Sequence, residues 1–294
     1  MGLFFSSDRF TRPGPGVRPD APRKKGVARL AEIMGRDMWS FFRAGFLAFL
    51  GCLPFIIGMF FAVETHALLF MLLAGIIGGL IAGPELSAMA DTVLRSLRDE
   101  PGYWWETYRR VWKRNARESL VPGILTGLVL SMQIFTLFHM SVISAGIVTW
   151  VLLILSFVVT LGLESYIWPQ IALLDLPLYG ILKNSLLLFL GYLPRSLGAI
   201  AIKAVYWGAI LLFFPLTTII LPFTNFWLPM LPALLCIYQP LNKCFTIEST
   251  INKMREDELN AALAKDNEPL PEAPTEKAEE STQASSDDSS SDVQ

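Results

Sequence analysis

Only two histidines occur in the 294 residues, His66 and His139, and each falls in a short polar linker between apolar runs. Together two imidazoles could bind a metal weakly, but metal sites usually bring three or four ligands together. Apart from Glu64, no acidic or thiol group accompanies them in the sequence. They therefore read as polar residues at a membrane boundary, and no metal is expected. Cys52, Cys236 and Cys244 lie in or beside apolar runs without metal-ligand spacing, so buried thiols are expected rather than a disulfide framework or a zinc site. No Gly-rich phosphate loop, nucleophile elbow or HExxH occurs. The expectation is a chain without catalytic residues or cofactor, and not an enzyme.

Charges inside the apolar runs are informative by position. An ionisable side chain at the bilayer midplane costs at least about 2.5 kcal/mol, and there it usually marks an ion or proton pathway. The middle portions of the runs contain none. Arg43 stands near the inner mouth of the first run, where it can snorkel to headgroups. Glu164 and Lys203 fall near the inner ends of the fourth and fifth runs at similar depth, which predicts an ion pair closing that end of the bundle. A path for a neutral solute would need a polar cavity, for which Ser131, Gln133, Ser156, Thr160 and Gln239 are the candidates.

The one long polar passage between apolar runs is Gly83 to Leu120. Read as a helix, it sets Trp104, Tyr108 and Trp112 on one face, at i, i+4 and i+8. Arg109, Arg110, Lys113, Arg114 and Arg117 crowd the flank and far side. Together with Trp105 these residues form the candidate contact set. A basic, aromatic helix of this kind suits a lipid headgroup boundary or a docking site on a partner subunit.

The elements that carry these residues follow from composition. The chain is 53% hydrophobic and 17% charged, against about 25% charged in soluble domains. Six apolar runs cover Phe41–Val63, Ala67–Met89, Leu120–Met140, Val142–Trp168, Leu197–Phe223 and Phe226–Phe245, most of them near the roughly 20 residues needed to span a bilayer. The linkers after the first, third and fifth runs lack Lys and Arg. The other linkers, at about 84–118 and 169–196, hold clustered basic residues, as do the termini. By the positive-inside rule this predicts an all-α polytopic membrane protein: six transmembrane helices as three outward hairpins, both termini cytoplasmic, with cytoplasmic interfacial helices. ILKNSLLLFLGYL, in the second basic linker, reads as an interfacial or re-entrant helix. The two basic linkers, which begin at Gly83-Pro84 and Trp168-Pro169, share an order of span, Pro break, surface helix, basic collar and span, which fits a weak internal repeat or chance alike.

Residues 1–40 form a basic arm attracted to anionic lipid at about 1 kcal/mol per basic residue near the surface; nucleic acid is not expected as a partner. No secretory signal is read at the start. The membrane domain is expected over 41–250, and a short exit helix with an acidic disordered tail over 251–294. Gly75, Gly79 and Gly83 recur every fourth residue on one face of the second run, and Gly123 and Gly127 do so on the third. Such spacing lets helix backbones approach closely, within the monomer or in a homo-oligomer. The helices also carry many prolines.

GPELSAMADTVLRSLRDEPGYWWETYRRVWKRNARESLVPG resembles the YesL family of bacterial membrane proteins, which has Gly-Pro at the end of the second span, then a charged aromatic helix, then a basic entry to the third span. YIWPQIALLDLPLYGILKNSLLLFLGYLPRSL is similar to the family's matching second linker, and GPGVRPDAPRKKG to an N-terminal arm. The resemblance covers roughly Phe4 to Lys253. It implies a multi-pass protein of the bacterial inner membrane without established biochemical activity. Its members often accompany carbohydrate ABC-transport genes, which implies an accessory role in solute uptake and ABC permease subunits as partners. The alternative is a transporter or channel for a small neutral solute.

Overall fold

The computed structural model describes residues 23–100, 102–142 and 146–266, and among these every regular element is helical. The elements are α1 (Gly26–Thr65), α2 (Leu68–Leu97), α3 (Trp104–Phe138), α4 (Ile147–Leu173), α5 (Leu178–Gly191), α6 (Leu193–Leu212), α7 (Leu221–Thr224), α8 (Trp227–Phe245) and α9 (Ile247–Asp266). Among the described residues six stretches are long and apolar enough to cross a membrane: α1 to α4, α6, and Leu221–Phe245, which joins α7 to α8. Their outer faces are apolar: Phe60, Leu69, Val148, Leu152 and Ile154 are all about 60% exposed. Unpartnered aliphatic faces on helices whose backbone bonds are closed internally need lipid around them. The protein is an all-α polytopic membrane protein.

The helix α2 is the hub. Nearly every residue from Ala82 to Leu97 is buried, packed against α1, α3, α4 and α8. Close approach is possible because glycines face both ways. A Cβ on Gly78 would strike Phe55 of α1, and a Cβ on Gly83 would lie 2.5 Å from the Ser119 carbonyl oxygen of α3. Gly79 meets Gly123, and Gly75 meets Gly127, in the same manner. Thus all five glycines of the two small-residue stripes pack α2 against α3 within one chain. Where they begin, α2 loosens into one π-helical turn, Ala74–Gly78, a form found as a local bulge in otherwise regular helices.

Four features depart from the boundaries expected above. No break occurs at Gly83-Pro84 or Trp168-Pro169: α2 runs on to Leu97 and α4 to Leu173. A proline deletes one helical bond, which a packed membrane helix tolerates. Second, the basic-aromatic segment is not a separate surface helix. It is the start of α3, since no breaker separates Trp104 from the third apolar run and the buried series Tyr108, Val111, Asn115, Ser119 continues the face that packs inward. At 1.5 Å per residue, Trp104 to Ser119 adds about 24 Å to that helix. The basic arm is likewise helical from Gly26 and continuous with α1. α5 is the separate short apolar helix of the second linker.

Third, α6 ends at Leu212, and the Pro-rich remainder of the fifth apolar run forms a 3₁₀ turn at Leu216–Thr218 and the short α7. Fourth, the three connections do not share a level. His66 and His139 bring the α1–α2 and α3–α4 connections together. The α6–α8 connection instead packs near the start of the first apolar run: Phe223 stacks on Phe42, Trp227 on Phe41, and Asn225 lies against Gly45. Gly45 is about 30 Å along α1 from Thr65.

Residues from Thr246 form a second unit, of which α9 is the described part. Thr246 has φ +48°, which separates α8 from α9. The N-terminal arm before Arg23 and the acidic tail beyond Asp266 lie outside the described residues.

Candidate functional site: the polar ends of the first three helices

Beyond the glycine seam, α1, α2 and α3 continue as a polar three-helix extension. The layer nearest the seam centres on Glu85 of α2. Its carboxylate accepts from the Tyr108 hydroxyl and, at 2.9 Å, from Trp112 Nε1. One turn on, Asn115 Nδ2 donates to Ser87 Oγ at 3.0 Å, and Arg114 donates to Asn115 Oδ1 at 3.0 Å and to the Ala172 carbonyl at 2.8 Å. Arg114 therefore ties α3 to the end of α4. Asp91, buried in α2, accepts from Arg95 at 2.7 Å. Arg43, expected to snorkel to headgroups, lies over the rings of Trp39 and Trp104 at 5.0 and 5.6 Å. Both separations are within cation–π range.

The far layer is built on Asp99, just past the end of α2 at φ +59°. Arg29, Arg36 and Arg23 converge on its carboxylate, Arg29 at 2.7 Å. Arg29 also donates to the Leu97 carbonyl at 3.2 Å and Arg36 to the Ser96 carbonyl at 2.8 Å, so α1 guanidiniums satisfy the free carbonyls ending α2. Burial acts to raise the Asp99 carboxyl, but hydrogen bonds and charge from Arg36 and Arg29 outweigh it and hold the group below the usual carboxylate range. Ser96 Oγ donates to Asp37, a further tie from α2 to α1. Between the layers lies a cleft of about 80 Å³, bordered by Asp37, Ser40, Thr92, Arg95, Trp104 and Thr107. The indole N–H of Trp104 is buried without a partner.

This geometry divides the nine candidate contact residues. Tyr108 is buried on Glu85, Trp112 spends its indole N–H there, Trp104 stacks near Tyr108 and Arg43, and Arg114 braces α4. The aromatic face therefore turns inward at Trp104 and Tyr108, whereas Trp112 lies at its exposed edge with only the indole N–H engaged. Trp105, Arg109, Arg110, Lys113 and Arg117 are exposed, as are Trp112 and Arg114 apart from the groups that bond inward. Four of these, Trp105, Arg109, Lys113 and Arg117, are spaced by four and line one face, while Arg110 pairs with Glu106 at 3.1 Å.

No family model, curated protein or solved structure matches the chain.

The remaining expectations divide as well. Glu164 and Lys203 border one small, largely apolar cavity with Trp168 and Met230, yet among the described residues no ion pair joins them; the expected direct pair is absent. Gln133 donates to Ser156 at 2.5 Å and to Thr160 at 2.8 Å, so three candidates for a solute cavity bond to one another across α3 and α4. Ser131 is buried against Gly75, and Gln239 is exposed. Of the cysteines, Cys52 is buried, Cys236 half-buried and Cys244 exposed, against the expectation of buried thiols.

Sequence reasoning missed Glu85, Asp99, Arg29 and Arg36 as site builders. The available signal was a carboxylate one residue after Gly83-Pro84, aligned on a helix pair with the Tyr108–Trp112 stripe.

Proposed function

We propose that the chain is a non-enzymatic accessory component of a membrane solute-uptake system, held in the bilayer with both termini cytoplasmic. It docks an acidic cytoplasmic surface of a permease-type partner on the stripe Trp105–Arg109–Lys113–Arg117. One observation carries this reading. The stripe is exposed on a helix whose opposite face is fastened by Glu85, Ser87 and the Ala172 carbonyl. A fastened helix loses little conformational freedom on binding, and preorganisation of this kind favours a specific partner. The solute class, carbohydrate, comes from the resemblance to the YesL family. The mutual bonding of Gln133, Ser156 and Thr160 favours this reading over solute passage between α3 and α4.

The test is co-purification from native membranes in mild detergent, comparing the wild-type chain with Arg109→Ala/Lys113→Ala/Arg117→Ala. The reading expects a stoichiometric permease or ATPase subunit with the wild type and its loss with the variant. A partner retained by the variant sinks it. A wild-type chain that purifies alone, but binds anionic vesicles through these residues, would assign the stripe to lipid instead.

A further inference from the structure

The two histidines that the sequence separates by 73 positions meet at the end of the bundle away from the polar extension. His66 Nδ1 lies 2.6 Å from His139 Nε2, with the rings edge to face at 4.8 Å. His139 is nearly buried, stacked on Phe135 at 4.0 Å, and its Nδ1 is 2.8 Å from the Phe135 carbonyl oxygen. A carbonyl only accepts, so His139 Nδ1 carries the proton and its Nε2 presents a lone pair. In the neutral pair His66 Nδ1–H donates to that lone pair. His66 is the exposed member and caps α1 in the left-handed region at φ +54°. That conformation is uncommon for a non-glycine residue.

A buried imidazole with Nδ1–H fixed on a backbone carbonyl and an unprotonated Nε2 is how protein histidines are commonly set for metal ligation. We propose that His66 and His139 form a binding site for Cu(II). Ligand type and the smaller movement required favour this ion. Two imidazole nitrogens bound at about 2 Å on a tetrahedral centre stand about 3.3 Å apart, whereas adjacent corners of a square plane need only about 2.8 Å. At 2.6 Å the two nitrogens face each other in a hydrogen bond, so ligation needs the exposed His66 ring to swing until both lone pairs converge on the ion, and the shorter bite of the square plane asks for the smaller movement. Moving the His66 proton from Nδ1 to Nε2 frees the second lone pair, and the swing of the ring turns it toward the ion, with no net proton released. Tetragonal N,O sites suit Cu(II), and affinity along the divalent series peaks there. Among the described residues no group of three or more His, Cys, Asp or Glu forms a metal cluster. The protein supplies two nitrogens, and water fills the other positions.

The experiment is Cu(II) titration of the full chain, purified without a histidine tag and followed by electron paramagnetic resonance. The expected result is one tetragonal Cu(II) per chain with splitting from two nitrogens, and affinity lowered about tenfold or more in His66→Gln. His139→Gln should lose the same signal; because His139 is buried, the exposed His66→Gln is the variant that decides. A spectrum without nitrogen splitting, or one unchanged in His66→Gln, overturns the proposal. So does Zn(II) displacing Cu(II) at equal concentration.

Discussion

Gly79 of α2 and Gly123 of α3 pack backbone to backbone: a Cβ on either would fall on the carbonyl oxygen of the other. Helices in lipid gain nothing from the hydrophobic effect when they pair, so their association rests on close contact and interhelical bonding. This contact lies midway along the α2–α3 seam, between Gly75–Gly127 and Gly83–Ser119. Gly79→Ala and Gly123→Ala should each lower stability by about 1–3 kcal/mol through overpacking, read as a lower melting temperature in detergent. Gly198 and Gly208 of α6 have nothing within 4 Å of an added Cβ. Alanine there should raise stability by about 0.5–1 kcal/mol through helix propensity alone. Equal effects at the two pairs of positions would remove the seam from the account.

The Tyr108–Glu85 bond gives the second prediction. Tyr108→Phe keeps the ring against Trp104 but removes the donor, leaving Glu85 with Trp112 alone. An under-satisfied, partly buried carboxylate should cost about 1–3 kcal/mol. Glu85→Gln, which still accepts from Trp112, should cost less than Glu85→Ala. Thermal unfolding of the three variants in one detergent gives the order.

Acid should loosen the far layer. The Asp99 carboxyl is held below its ordinary value, so it adds stability at pH values above that ordinary value, about 3.9. The contribution fades as pH falls below it and is gone once the lower, folded value is passed. Asp99→Asn should therefore destabilise at neutral pH and flatten the dependence of melting temperature on pH below about 4. High salt should shrink the difference, because Asp99 is partly exposed and its pairing with Arg23, Arg29 and Arg36 is screened. A difference from wild type that persists at the acid limit would mean that the introduced amide disturbs packing, not charge.

The six-helix class was legible because run length and apolar composition are local quantities. The glycine stripes were legible as packing faces for the same reason; that Gly79 finds Gly123 and not a second chain was not. Proline misled at Gly83-Pro84 and Trp168-Pro169, since the cost of one lost bond is absorbed by packing that a sequence does not display. The face carrying Trp104, Tyr108 and Trp112 was found, but its direction was not, because an amphipathic aromatic stripe reads alike against lipid, a partner or a neighbouring helix. Direction was set by Glu85, more than 20 residues away. The His66–His139 contact lay beyond reach altogether: it depends on the relative level of two hairpins, which neither linker encodes.

The two sides of α3 should separate in one experiment. Arg114 reaches across to the Ala172 carbonyl and to Asn115, whereas among the described residues no hydrogen bond or ion pair engages Arg109, Lys113 or Arg117. Arg114→Ala should lower stability by about 1.5–3 kcal/mol, the scale of a hydrogen bond to a charged group. Alanine at the other three should each stay within about 0.5 kcal/mol of wild type. The binding result should run the opposite way. At a temperature where every variant is folded, Arg114→Ala should retain the co-purifying partner and the triple variant should lose it. If Arg114→Ala loses the partner while its melting temperature is unchanged, the guanidinium faces the partner, not α4. The docking stripe would then have to be redrawn around Arg110 and Arg114.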